Sequence, residues 1–157
     1  MKRSTILLLL SIILSSSAAF AQYTFPLPEL VKLPSKNASD FETIMLEKDY
    51  SLQTKLSDQV SKVYTSDKAG VNDKKYTFVR RQVPNAAVGI TFTTTDKKYY
   101  LDIKAKLAAS GYKFVKEEHK TIEKVEATWY HYSNGTMNVS ICSYTTDANW
   151  FAVQVHL

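Results

Sequence analysis

Apolar residues recur along this chain with two periods, one suited to helices and one to strands. Ser39-Asp40-Phe41-Glu42 has the form of a capping box, with a serine cap and a glutamate three residues on. Phe41, Ile44 and Met45 follow on one helical face, which predicts a short helix ending near Asp49. Tyr50 and Leu52 begin a strand. Val60 to Tyr64, Tyr76 to Gln82 and Ala86 to Thr95 read as three more, rich in β-branched and aromatic types. The polar stretches Ser66 to Lys75 and Val83-Pro84-Asn85 separate them.

Asp96 predicts the cap of a second helix. Tyr100, Ile103, Ala105 and Leu107 form its buried side, and Gly111 provides the left-handed stop. Tyr112, Phe114 and Val115 open a further strand, and Glu117 to Lys124 reads as a charged, solvated connection. Val125 to Tyr132 and Met137 to Tyr144 flank Ser133-Asn134-Gly135-Thr136. Asn-Gly between two β-rich runs is a strong hairpin signal, since both residues accept positive φ. Thr145 to Asn149 reads as another turn. In the last strand, Trp150 to Leu157, alternation sends Phe151, Val153 and Val155 to one face and Ala152, Gln154 and His156 to the other.

A shift of 62 residues lays Phe41 on Ile103, Met45 on Leu107, Asp49 on Gly111, Tyr50 on Tyr112 and Leu52 on Phe114. A shift of 63 lays Val88, Ile90 and Phe92 on Phe151, Val153 and Val155. The expectation is an α+β domain of two tandem units, about 38–95 and 96–157, each a helix, a strand and a three-stranded meander. The units share one antiparallel sheet with both helices on one face. Over residues 38–157 this outline resembles β-lactamase-inhibitory-protein-like domains, which pair two helix-plus-meander units around a sheet. The resemblance is one of pattern, rests on no motif and assigns no functional residue.

The first residues carry a different pattern. Lys2 and Arg3 precede an apolar run, Ile6 to Leu10 and Ile12 to Leu14, and Ala19-Phe20-Ala21 fits a small-x-small cleavage site. Residues 1–21 are therefore expected to be a cleaved signal peptide, and the protein to be exported to the periplasm or outside the cell, in a Gram-negative bacterium. Gln22 to Lys36 holds Pro26, Pro28 and Pro34, which predicts an extended strap over residues 22–37. Removing Lys2 and Arg3 takes the basic residues from 20 to 18 against 15 acidic, a net of +3. That is a solubility statement, not a nucleic-acid footprint. No second long apolar run suggests stable membrane insertion.

Chemistry is sparse. The four glycines form no phosphate loop, and His119, His131 and His156 have no metal-ligand spacing, so neither metal nor cofactor is expected. Cys142 is the only cysteine, so no internal disulfide can form, and a buried thiol is the simplest reading. Cys142 and His156, with Ser140 and Gln154, are placed on one face of neighbouring strands, where a Cys–His pair would activate a thiolate. Trp129 and His131 fall on one face of their strand and Tyr130 and Tyr132 on the other, with Tyr144 and Trp150 on neighbours. One set must be core, and the other offers an aromatic binding surface. Arg80 and Arg81 face opposite sides and read as a solvated edge. These readings favour a non-catalytic binding domain that engages a protein, peptide or glycan through the open sheet face. A periplasmic enzyme inhibitor or immunity-type protein is the first alternative, and a thiol-dependent hydrolase the second.

Overall fold

The computed structural model describes residues 24–66, 76–122, 124–144 and 150–157. The segment expected to be a signal peptide, Gln22, Tyr23, residues 67–75, Glu123 and the expected turn at 145–149 lie outside them. Among the described residues the chain forms three α-helices and one eight-stranded antiparallel open sheet. The helices are α1 (Leu27–Leu30), α2 (Ala38–Glu47) and α3 (Lys97–Ala109). The strands are β1 (Tyr50–Leu52), β2 (Ser61–Ser66), β3 (Tyr76–Arg81), β4 (Gly89–Thr94), β5 (Lys113–Ile122), β6 (Val125–Ser133), β7 (Asn138–Tyr144) and β8 (Phe151–His156). Their order across the sheet is β1-β2-β3-β4-β8-β7-β6-β5. The last strand made thus lies in the middle, against β4, with Ile90 opposite Val155 and Phe92 opposite Val153.

Both long helices pack on one face. Phe41 and Met45 of α2, and Tyr99, Tyr100, Ile103 and Leu107 of α3, join one core with Tyr64, Phe78, Ile90, Phe92, Ile141 and Val153. Phe78 and Phe92 sit at its centre with ring centroids 4.5 Å apart. Burying each such ring contributes roughly 1.5–3 kcal/mol. Asp96 caps α3 as its sequence predicts, accepting from the amides of Lys98 and Tyr99. Ala105 is exposed and Tyr99 takes its place in the core. Asp49 and Gly111 follow α2 and α3 with φ of 57° and 82°.

Several local expectations are corrected. The cap of α2 is Asn37, not Ser39: the Asn37 side chain accepts from the Asp40 amide, so the helix begins at Ala38. The proline segment is not an extended strap. Pro28 sits in the first turn of α1, where a missing N–H costs nothing, and Leu33–Ser35 makes a 3₁₀ turn. This segment is bound tightly: Phe25, Leu27, Leu30 and Leu33 are buried, and the Tyr99 hydroxyl donates to the Phe25 carbonyl at 2.7 Å. The charged stretch Glu117 to Lys124 is no connection through Ile122, because β5 runs across it as an edge strand whose side chains meet water on both faces. A β-bulge at Val115 shifts its register between Phe114 and Lys116.

The hairpin after β6 forms, with Gly135 at φ 90°, but Asn134 keeps negative φ. Its side-chain oxygen instead accepts from the amides of Thr136 and Met137, closing a longer loop. Arg80 is buried rather than solvated. Its guanidinium donates to the Lys36 carbonyl and to Gln82 Oε1 and lies over the Phe41 ring. Only Arg81 is exposed.

Candidate functional site

Directly paired residues in an antiparallel sheet point to the same face, so the strand registers define the surface opposite the helices. One row runs Val63, Val79, Thr91, Gln154, Ser140, His131, Lys116. The next runs Ser51, Thr65, Thr77, Thr93, Ala152, Cys142, Trp129, Glu118. No helix among the described residues packs on this side. Eight strands about 4.8 Å apart and roughly 20 Å long give it a span of about 34 Å by 20 Å.

The surface has a distinctive charge pattern. On the described strands β1 to β4 and β6 to β8, Arg81 alone brings a fixed charge to this face. The remainder comes from β5, through Lys113, Lys116, Glu118 and Lys120. The middle is hydroxyl, amide and small apolar side chains. Thr65, Thr77, Thr91, Thr93 and Gln154 are half-buried.

The aromatic set divides between the faces. Trp129 lies on the open face but is itself buried, packed with Ala127, Cys142, Ala152 and Tyr144 in a small apolar cluster. Its indole N–H has no hydrogen-bond partner among the described residues. Tyr144 is half-buried beside it, and Trp150 is half-buried just before β8. Tyr130 and Tyr132 point to the helix side, half-buried against the main core. Lys104 of α3 stands 3.9 Å over the Tyr130 ring, and Phe114 meets Tyr132 edge-on. These two tyrosines therefore belong to a strip beside α3, not to the uncovered face.

Cys142 and His156 share the open face yet do not meet. Cys142 is opposite Ala152 and His156 opposite Asn138, four residues farther along β8. That separation is roughly 13 Å along the strand. Burial pushes the Cys142 thiol up to about 12, only partly offset by its hydrogen bond with Tyr144. A fully buried neutral thiol with no histidine in reach is not an activated nucleophile.

The histidine that does find partners is His131. Its Nδ1 lies 2.8 Å from Ser140 Oγ and its Nε2 lies 3.2 Å from Glu118 Oε2. Glu118 also meets Lys120 at 3.1 Å and Lys116 at 3.6 Å. The Lys120 hydrogen bond, more than the charges of Lys116 and Lys120, lowers its carboxyl below the usual range. Serine, histidine and carboxylate in sequence are the groups of a nucleophilic relay. The setting is wrong for one. Ser140 is buried in a central strand whose backbone N–H groups are engaged in the ladder, leaving no oxyanion donors. Two concavities among the described residues include neither Ser140 nor His131. One of about 300 Å³ is lined by His119, Lys120, Thr121 and Glu126. One of about 370 Å³ lies between Pro26 and α3. The relay is a hydrogen-bond chain that fixes His131 and Glu118 in place.

The sequence hides this chain because Glu118 stands in a charged run that predicts a connection and forms a strand. Its signal is the i, i+2 alternation of Lys116, Glu118 and Lys120, which is a strand period. Among the described residues no group of three or more His, Cys, Asp or Glu side chains is placed to hold a metal ion, and no helix is long and apolar enough to cross a membrane. The chain matches no protein-family model, no curated protein and no solved structure.

Proposed function

We propose that this chain is an exported, non-catalytic binding domain that docks a partner on the sheet face opposite its helices. The observation that carries the reading is the distribution of charge on that face. A surface built only to be solvated alternates lysine and glutamate outward, as β5 does. Here the middle of a broad face is uncharged and half-buried, with charges gathered at one flank and at Arg81. Depletion of charge at the centre with a polar, charged rim is interface anatomy. The span is of the order of the ~800 Å² that one partner contributes to a standard protein interface. The exported location rests on the signal-like N-terminal sequence.

We also infer that the domain arose by duplication of a helix and four-strand unit. The strand order is symmetrical about the β4–β8 seam. Asp49 and Gly111, equivalent under the 62-residue shift, share the positive-φ helix stop. The equivalent pairs Phe41 and Ile103, Met45 and Leu107, and Tyr50 and Tyr112 are all buried.

Site-specific photo-crosslinking in the producing cell tests the binding reading. A photo-reactive phenylalanine analogue is placed at Thr77, Thr93 or Gln154, and at Lys98 or Lys106 of α3 as controls. A discrete adduct from the sheet positions and none from α3 supports the reading. Adducts from α3 alone would overturn it.

A further inference from the structure

We infer that the partner of the open face is a protein whose contacting surface is acidic at its border. This rests on the binding reading above. The strands put four fixed cations on the face, Arg81, Lys113, Lys116 and Lys120, against one anion, Glu118, and Asp58 in the turn before β2 offsets part of the Arg81 charge. All four cations are exposed. Glu118 is turned inward by comparison: it is held by Lys116, Lys120 and His131 and is half-buried. Its charge is thus matched within the chain, and the surplus offered to a partner is positive. Opposite potentials across an interface speed encounter and reject partners of the wrong sign.

The same geometry argues for a protein over a nucleic acid or a sulfated glycan. A polyanion follows a continuous basic track, and a single strand also needs exposed rings for stacking. Three cations stand along β5, and Arg81 lies five strand spacings away, about 24 Å. Between them runs a neutral field of threonine, glutamine and serine, which would leave a polyanion's charges unmatched. Trp129 is buried, and Tyr144 and Trp150 are half-buried at one end of the face, so no fully exposed ring lies between the two groups of cations. A folded partner with a neutral centre and carboxylates at its edge fits both parts.

The test uses the Thr93 photo-crosslink in the full-length protein, with purified envelope fraction as the source of partner. The adduct is expected to be protease-sensitive and nuclease-resistant. Its yield should fall with added salt and drop by about tenfold in a K113E/K116E/K120E variant. Poly-L-glutamate should compete and poly-L-lysine should not. A K113Q/K116Q/K120Q variant with an unchanged melting curve should lose part of the yield, which separates charge from misfolding. An adduct indifferent to salt and to charge reversal would leave the binding face standing and overturn the acidic partner. Stronger competition by polyuridylate or by heparin, at equal charge concentration, would overturn it in favour of those ligands. No adduct from Thr93 in any condition would defeat the binding reading itself.

Discussion

The two faces of the sheet are made from the same strands and differ in what covers them. On the helix side, row after row is aromatic or branched: Phe78, Phe92, Val153 and Ile141 lie edge to edge. On the other side the same strands place Thr77, Thr93, Ala152 and Cys142 in line. The first face is large because α2 and α3 must be filled against it. The second is short and neutral, and no helix of the described residues covers it. A sheet side chain is chosen by its cover, and short neutral residues are those that tolerate being alternately wet and dry.

The sharpest break in that contrast is the dry spot on the open face around Cys142. With its thiol pushed up to about 12 from a usual 9, the thiolate fraction at pH 8 falls about a thousandfold. Higher nucleophilicity of the rarer thiolate offsets part of that fall, but burial adds to it, so reaction with a disulfide reagent should be slower by at least about tenfold in the folded protein than after denaturation, as absorbance at fixed pH will show. Rapid labelling of the native state would mean the open face is wet throughout.

Truncation tests the faces directly. Phe92→Ala should cost about 3–5 kcal/mol, because it opens a cavity where rings of Phe78, Tyr76 and Tyr99 meet. Its neighbour Thr93→Ala should stay within about 0.5 kcal/mol by urea denaturation. Equal costs would erase the distinction.

Alkaline pH acts mainly on the helix side. Burial first, with the Asp96 charge and hydrogen bond second, raises Tyr76 to about 12, and burial raises Tyr100 likewise. An unfolded chain ionises tyrosine near 10, so stability is intact below that pH and drains away as pH rises from about 10 to about 12. A Tyr100→Phe variant should show a shallower loss over that window in pH-dependent denaturation. Asn37→Ala removes the α2 cap and should cost about 1 kcal/mol, seen as a lowered thermal midpoint.

Much of this architecture is legible in the residues. The period of α3, its aspartate cap, the Asn-Gly hairpin and the alternation in β8 all announce themselves, because each rests on local geometry. The division of Trp129 and His131 from Tyr130 and Tyr132 is equally readable from alternation. Which of those faces the helices would cover is not, since that depends on packing between segments far apart in sequence. Strand β5 hides because an exposed edge has no apolar stripe to betray it. The chain from Ser140 through His131 to Glu118 hides for a related reason: its members lie on three strands and meet only when all three registers are fixed.

The placement of β8 at the centre of the sheet has a consequence for how the molecule is made. Phe92 waits for Val153, about sixty residues downstream, before its edge is closed. Until β8 is in place, β4 and β7 keep unpaired inner edges. Loss of a few C-terminal residues would therefore not trim the margin but divide the structure at its seam. The same arrangement makes completion of the sheet slow, since pairings this distant along the chain form last. A polypeptide built this way offers its continuous surface only after β8 has closed the seam.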